Sequence, residues 1–151
     1  MNDRVKAFWE AFRQGRPDAS VPDEPDSVFA FGNTPEMADK LGALVAGRLK
    51  TATTSALGAY EPDEPLPQIG ELSVVLDGSE KPLCVVETTE VRVLLFAEVD
   101  AAFAFDEGEG DRSLAYWQRV HERFFSETLP GPFDEKLQVV CERFRLVWPL
   151  P

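Results

Sequence analysis

The sequence predicts an α+β fold in which largely antiparallel strands form a sheet that curls into a barrel. Apolar side chains recur with helical spacing in two segments near the start of the chain, whereas residues 71–95 form two apolar runs around an Asp-Gly turn. The chain has no regular alternation of strands and helices, no glycine fingerprint of dinucleotide binding and no Walker loop. Cofactor-dependent redox chemistry and kinase chemistry are therefore disfavoured.

Two helices are predicted in the first third of the chain, at 4–14 and 35–47. Apolar side chains of the first recur at offsets of three, four and seven residues, at Val5, Phe8, Trp9 and Phe12. The second follows Thr34, a good N-cap residue, and has a proline at its first position. Between them, the proline-rich and acidic stretch 17–27 predicts an exposed loop, followed by a short strand at 28–32.

The rest of the chain predicts more strands than helices. One strand is expected to start at 51–54, and three others are expected at 71–76, 83–95 and 137–148. Helical spacing is found at 96–106 and 113–127. Asp111 or Ser113 can cap the last of these helices, because both side chains can accept hydrogen bonds from a first helical turn.

Composition indicates a globular protein of 151 residues, a length that suits one domain. No apolar run approaches the ~20 residues of a membrane span, and the first residues do not resemble a secretory signal, so a cytoplasmic location is expected. Cys84 and Cys141 lie in apolar runs and are expected to be reduced core residues. The net charge of −12 disfavours broad, non-specific binding of nucleic acid. A small ligand, or one base held in a pocket, remains compatible with this charge.

Lys50 and Thr53 lie three residues apart at a predicted junction between a helix and a strand. Their side chains can converge if the chain bends as it leaves the helix. Burial in a low-dielectric pocket disfavours the ammonium form of a lysine, so a free amine could activate the threonine hydroxyl as a nucleophile. A surface lysine followed by a strand threonine is the alternative interpretation.

Four carboxylates, at Asp106, Glu107, Glu109 and Asp111, are interrupted by two glycines. Glycines allow a sharp turn, so this segment can direct one carboxylate inward, and Glu107 is the candidate. The spacing does not match a calcium-binding loop, and no metal site is expected. Glu87, within an apolar strand, is expected to support Lys50 indirectly. His121, the only histidine, is interpreted as a structural residue on the apolar face of a helix.

The chain resembles ASCH-domain proteins along nearly its whole length. The matching segments are Phe8-Trp-Glu-Ala-Phe12, Phe31-Gly32, Lys50-Thr-Ala-Thr53, Val74-Val-Leu-Asp-Gly78, Val86-Glu-Thr-Thr89, and Glu107-Gly-Glu-Gly-Asp-Arg-Ser113 through Trp117, His121, Phe124 and Phe125. The resemblance implies a PUA-like pseudo-barrel, a mixed and largely antiparallel curled sheet with helices at its ends. It further implies that residues 1–151 form one ASCH domain of the longer bacterial form, with residues 1–27 as an N-terminal helix and loop extension.

Members of this family are proposed to bind RNA or nucleotides in a cleft beside the lysine motif. One short branch resembles an amidohydrolase that deacetylates acetylcytidine, and its lysine, threonine and glutamate correspond to Lys50, Thr53 and Glu107. Another branch is ribonuclease-like, but Ser55 occupies the position after the threonine motif where a basic residue is common. That substitution disfavours the ribonuclease hypothesis, because it removes a group that could hold a phosphate.

The leading hypothesis is therefore amide hydrolysis of an acylated nucleoside, without a metal or cofactor. In it Thr53 attacks the acyl carbon, Lys50 accepts the proton and stabilises the oxyanion, and Glu107 orients Lys50 or protonates the leaving amine. The second hypothesis is a binding module for a nucleoside or a single RNA base, and ribonuclease activity is the third. The expected ligand contacts are Phe31, Ser55, Tyr60, Glu109 and Arg112. The sequence predicts no membrane partner and leaves the oligomeric state open.

Overall fold

The computed structural model describes residues 1–16 and 20–149. Its α-helices are α1 (Asp3–Gln14), α2 (Pro35–Ala46), α3 (Ala101–Glu107) and α4 (Leu114–Thr128). Its strands are β1 (Ser27–Ala30), β2 (Ala52–Ala56), β3 (Leu72–Leu76), β4 (Pro82–Leu95) and β5 (Gln138–Trp148). Short 3₁₀ turns cover Leu57–Ala59 and Phe96–Glu98. No helix among these described residues is long and apolar enough to span a bilayer.

The strands form one curled sheet in the order β1-β3-β4-β5-β2. β1 runs parallel to β3, and every other neighbouring pair is antiparallel. The two longest strands, β4 and β5, pair along most of their length, with register shifts at Val85/Val86 and Thr88/Glu90. Such irregularities bend a strand and increase its twist, which favours the half-barrel shape. The predicted mixed, largely antiparallel curled sheet is thus confirmed.

Most predicted elements occur within two residues of their expected bounds. Thr34 caps α2 by accepting a hydrogen bond from the Met37 amide at 3.1 Å, and Ser113 caps α4 in the same way. The main difference is the helix expected at 96–106, which is divided into a 3₁₀ turn and α3. Asp100 interrupts it, because its extended backbone and its hydrogen bond from the Phe103 amide make it the N-cap of α3. In the predicted loop 17–27, residues 17–19 lie outside the described residues.

Three apolar clusters fill the space between the sheet and the helices. α1 packs Val5, Trp9 and Phe12 against β3 and β4, while α3 and α4 cover β2 and β5. Cys84 and Cys141 are buried and free, and they belong to different clusters. Burial raises the pKa of the Cys84 thiol to about 12 and that of Cys141 to about 11. Both cysteines are therefore core residues, as predicted.

Two backbone junctions bring the end of α2 against the end of α3. After α2, Arg48 adopts a left-handed conformation, and the Lys50 amide donates to the Leu44 carbonyl at 3.1 Å. Gly108 also has a positive φ of 74°, and a Cβ on it would lie 2.3 Å from the Leu49 carbonyl oxygen. Only glycine fits this approach without a backbone shift. The approach places Lys50 beside the acidic segment that follows α3.

Candidate functional site

The Lys50 side chain is buried, with 1% of the residue exposed. Its ammonium nitrogen lies 3.1 Å from Oε1 of Glu107, 2.8 Å from Oε2 of Glu109 and 2.8 Å from the Ala52 carbonyl oxygen. These three nearest acceptors match the three hydrogens of an ammonium group, and the Glu107 carbonyl oxygen lies further away, at 3.4 Å. Two adjacent carboxylates favour the charged form, so Lys50 provides a fixed positive charge at this position.

Glu107 is equally buried and is the central acceptor of the cluster. While Oε1 faces Lys50, its Oε2 accepts hydrogen bonds from the Thr54 hydroxyl at 2.6 Å and from the Trp117 indole N–H at 2.5 Å. His121 Nε2 lies 3.4 Å from the same oxygen. Both oxygens of this carboxylate therefore contact polar side chains of the protein, one on Oε1 and three around Oε2.

The environment of Glu107 determines its charge. Burial by itself would raise the pKa of this carboxyl group, but the Lys50 ammonium and the hydrogen bonds from His121 and Thr54 outweigh it. Together they hold the pKa of Glu107 well below its usual range. Glu107 is consequently a carboxylate at neutral pH, and in this form it has no proton to donate to a leaving amine.

Thr53 and Thr54 are consecutive residues of β2, and both line the same cavity as Lys50. Thr54 is bound to Glu107, whereas the Thr53 hydroxyl has no side-chain hydrogen bond among the described residues. Among these residues, the Thr53 hydroxyl also forms no hydrogen bond with the Lys50 amine. The structure thus brings Lys50, Thr53 and Glu107 to the lining of one cavity.

The cavity has a volume of about 120 Å³ and lies between α2, β2 and α4. Its apolar wall consists of Phe31, Met37, Leu41, Val120 and Phe124, with Gly32 and Asn33 at one side. Its polar wall consists of Lys50, Thr53, Thr54, Glu107, Glu109 and His121. Apolar and aromatic side chains combined with a few polar groups are typical of the lining of a small-ligand site.

A wider groove of about 340 Å³ continues from this cavity between α2 and α4. The two spaces share Asn33, Met37, Leu41, Glu109, Val120 and Phe124. Lys40, Tyr116, Arg123 and Glu127 line only the outer groove. A ligand can therefore place one ring in the inner cavity and extend its remaining atoms along the groove.

Two of the predicted ligand contacts belong to the cavity. Phe31 is buried, lines the cavity and lies with its ring centroid 5.5 Å from the Lys50 nitrogen. This is within the range of a cation–π contact. Glu109 also lines the cavity, and 17% of its side chain is exposed. It is therefore the more accessible of the two carboxylates that bind Lys50.

The other predicted contacts lie outside the cavity lining. Ser55 and Tyr60 bond each other through their hydroxyl groups at 2.9 Å. The Arg112 guanidinium donates to the Phe105 carbonyl at 3.0 Å and stacks on the ring of the same residue. None of the three lines the cavity.

Glu87, expected to support Lys50, pairs instead with Arg145 on the neighbouring strand, at 2.6 Å. Its position opposite Arg145 in the β4–β5 register explains this pairing. The support of Lys50 comes from Glu109, which the sequence analysis assigned to ligand binding.

Sequence reasoning missed three polar contributors to the site, namely Thr54, Trp117 and His121. Trp117 is buried in the core, and its indole N–H reaches Glu107. A buried tryptophan usually donates its N–H to an acceptor, so the sequence could have indicated Glu107, ten residues earlier, as the partner of Trp117. The i,i+4 spacing of Trp117 and His121 then placed the histidine on the same face. No group of three or more His, Cys, Asp or Glu side chains in the described residues is arranged to hold a metal ion.

The structure is similar to two solved bacterial structures over almost the whole chain. A crystal structure of protein EF3133 from Enterococcus faecalis V583 shares 36% identity with a TM-score of 0.83, covering 97% of this chain and 94% of the other. An ASCH domain from Lactobacillus crispatus JV V101 shares 32% identity with a TM-score of 0.83, covering 97% and 95%. No curated protein matches the sequence significantly.

A more distant structure, the hypothetical protein PH0355, shares 15% identity with a TM-score of 0.55, covering 80% of this chain and 98% of that one, and supports the fold alone. The family model described as the ASCH domain matches residues 27–148, from the first residue of β1 to the last of β5. The N-terminal helix α1 precedes this match. The chain therefore belongs to the ASCH domain family, whose PUA-like fold is often linked to RNA binding.

Proposed function

We propose that this protein binds an acylated nucleoside of the acetylcytidine type and hydrolyses its amide bond. The observation that carries the proposal is the buried Lys50 ammonium, fixed by two carboxylates in the wall of a cavity that Thr53 also lines. A fixed positive charge in a partly dry cavity stabilises a developing oxyanion. A hydroxyl in the same cavity supplies a nucleophile.

The shape of the site supports a nucleoside-sized ligand. The inner cavity of about 120 Å³ is smaller than the roughly 300–1,000 Å³ of sites for drug-sized ligands, so it suits one ring or its acyl substituent. The wider groove provides room for a sugar. Phe31 and Phe124 offer aromatic surfaces to a base, and aromatic side chains are common partners of unstacked bases.

In the proposed reaction the Thr53 oxygen attacks the acyl carbon, and its proton passes to a carboxylate. Glu109 suits this step because it is partly exposed, and only one of its oxygens bonds Lys50 among the described residues. The Lys50 ammonium stabilises the oxyanion of the tetrahedral intermediate. The C–N bond then breaks, and the proton held by Glu109 passes to the leaving amine. Water hydrolyses the acyl-threonine, which restores the hydroxyl and releases the acid.

This assignment changes one role from the sequence hypothesis. Lys50 was expected to accept the proton, but three acceptors surround its nitrogen and favour the ammonium form. In the proposal Lys50 therefore acts by its charge. Glu107, whose two oxygens both contact polar side chains, holds the ammonium in place.

Hydrolysis of acetylcytidine, followed by chromatography of cytidine, tests the proposal. Thr53→Val removes the nucleophile and should abolish turnover, whereas the neighbouring Thr54→Val retains Thr53 and should retain measurable turnover. Lys50→Ala should lower kcat, and Glu109→Gln should lower it by about 10²–10⁴-fold if this carboxylate carries the proton. The exposed Lys81→Ala, in the β3–β4 turn, is the matched control. Equal turnover by wild type and Thr53→Val would contradict the mechanism.

A binding module without catalysis is the second candidate. Its supporting observation is that the Thr53 side chain forms no hydrogen bond with Lys50 or with Glu109 in the described part of the chain, so no preformed nucleophile–base pair is present there. Titration calorimetry with cytidine, acetylcytidine and short single-stranded RNA distinguishes the two candidates. Saturable binding without product would favour the module, and Phe31→Ala should weaken it.

Ribonuclease activity is the least supported candidate. The position of Ser55 carries no positive charge, and its hydroxyl is engaged with Tyr60. Incubation with mixed RNA provides the test, since fragmentation that disappears in Lys50→Ala would favour this activity over the other two.

A further inference from the structure

His121 follows Trp117 by one turn of α4, and its ring is part of the cavity wall. Only 12% of its side chain is exposed, and the imidazole stacks on the Trp117 indole with centroids 4.3 Å apart and an interplanar angle of 20°. The stacking fixes the plane of the ring. Each of the two ring nitrogens is therefore directed at a defined partner.

Both of those partners are oxygen acceptors. Nδ1 lies 2.8 Å from the Trp117 carbonyl oxygen, and Nε2 lies 3.4 Å from Oε2 of Glu107. A carbonyl oxygen can only accept, so Nδ1 carries a hydrogen. A neutral imidazole has a single N–H and would then direct the lone pair of Nε2 at a carboxylate. The imidazolium satisfies both contacts, because it donates from both nitrogens.

The charges around His121 lead to the same conclusion. The ionisable groups that face it are Glu107 at the end of α3, Glu109 in the following turn, and Lys50 after α2. Two carboxylates and one ammonium leave one excess negative charge in a nearly dry site. A protonated His121 neutralises this charge, and a buried charge is stable only when it is compensated in this way.

Burial alone would lower the pKa of His121, yet the hydrogen bond and the charge of Glu107 outweigh it and raise the pKa above its usual value. Glu107 makes the largest contribution to this rise, and the Trp117 carbonyl and the charge of Glu109 add to it. Without the Glu107 carboxylate, burial would dominate and the imidazole would lose its proton more readily.

We propose that His121 is the second cation of the site, and that it acts as a positioning residue that keeps Glu107 ionised and thereby holds Lys50 in the cavity wall. The effect on turnover rests on the amide hydrolysis proposed above, whereas the charge of the imidazole does not. Deprotonation of His121 would leave the cluster with a net negative charge and should loosen the geometry on which Lys50 depends. The alkaline limb of activity should then follow the titration of this imidazole.

The direct test is NMR titration of the ring protons, which give one set of signals because His121 is the only histidine. Wild type should titrate above the ordinary value of 6.5, and Glu107→Gln should titrate below it. A wild-type midpoint at or below 6.5, or one unchanged by Glu107→Gln, would overturn the proposal. The exposed Glu98→Gln, at the far end of β4, is the matched control for loss of a carboxylate.

A second arm follows acetylcytidine hydrolysis against pH in wild type and in His121→Gln. We expect the variant to have a lower kcat and to lose the alkaline limb seen in wild type, a change that a purely structural histidine would not produce. A wild-type alkaline limb that persists in His121→Gln would overturn the positioning role. If the NMR titration behaves as expected and no hydrolysis occurs, the charge assignment stands and the proposed function fails.

Discussion

Replacing Lys50 by methionine should destabilise the protein strongly, although methionine preserves the bulk of the side chain. The substitution leaves the Glu107 carboxylate, 1% exposed, without its ammonium partner at 3.1 Å. At an effective dielectric constant of about 20, two charges at this distance attract by about 5 kcal/mol. Removal of one partner of a buried pair typically costs about 3–5 kcal/mol.

We expect the lower end of that range, about 3 kcal/mol, because Glu107 keeps its hydrogen bonds from Thr54, Trp117 and His121. For a chain of 151 residues, this corresponds to a decrease in Tm of about 6–12 °C. Urea unfolding followed by far-UV circular dichroism measures the free energy of unfolding. Lys81→Met, at an exposed position, should change it by less than about 0.5 kcal/mol.

The double variant Lys50→Met/Glu107→Gln provides the decisive comparison. It removes both charges of the fully buried pair, and the remaining carboxylate, Glu109, is partly exposed to solvent, so the double variant should be more stable than Lys50→Met by at least about 1 kcal/mol. Additive effects of the two single substitutions, or a loss below about 1 kcal/mol for Lys50→Met, would refute the assignment of a buried, coupled ion pair.

Three further predictions concern the backbone, the acid limb of stability and the cysteines. Gly108→Ala and Gly131→Ala both place alanine at a positive φ, but of the two only Gly108 would bring the new Cβ against a backbone carbonyl. The loss of unfolding free energy should therefore be larger for Gly108→Ala by at least about 1 kcal/mol. Equal losses would argue against the close approach of α2 and α3. The folded-state pKa of Glu107 lies below its ordinary value of 4.5, so the stabilisation from this carboxylate is present above about pH 4.5 and is lost as the pH falls through the folded-state pKa. The free energy of unfolding should therefore fall less steeply with acidification in Glu107→Gln than in wild type. Identical pH profiles of the two proteins would contradict this prediction. Cys84 and Cys141 are buried with raised pKa values, so a colorimetric thiol reagent should label neither in native protein at pH 8 and both in urea, whereas rapid native labelling would show an exposed thiol.

Local structure was predictable because it depends on residues close together in the chain. Thr34 and Ser113 cap their helices because each side chain reaches an amide three residues later. The positive φ values of Gly108 and Gly110 follow from glycine's lack of a Cβ. The inward direction of Glu107 was expected from this turn, and the carboxylate is buried.

The parallel pairing of β1 with β3 was not predictable from local patterns. Ser27 lies opposite Ser73, and the connection between these strands contains α2 and β2. Hydrophobic periodicity identifies a strand, but it does not identify the strand's neighbour or its direction. The partners of Glu87 were missed for the same reason, since Arg145 reaches it only through the β4–β5 register.

The sequence by itself determined the types and approximate bounds of the helices and strands, the burial of the cysteines and the family to which the chain belongs. These properties depend on side-chain periodicity, on capping and on motif order, all of which are local or additive along the chain. Only the tertiary structure decided that Lys50 meets Glu107 across 57 residues, that Thr54 and Trp117 bond the same carboxylate, and that His121 completes the cluster. Such contacts arise when packed elements fix positions that no single segment specifies, and electrostatic energies depend on those distances and on the exclusion of water.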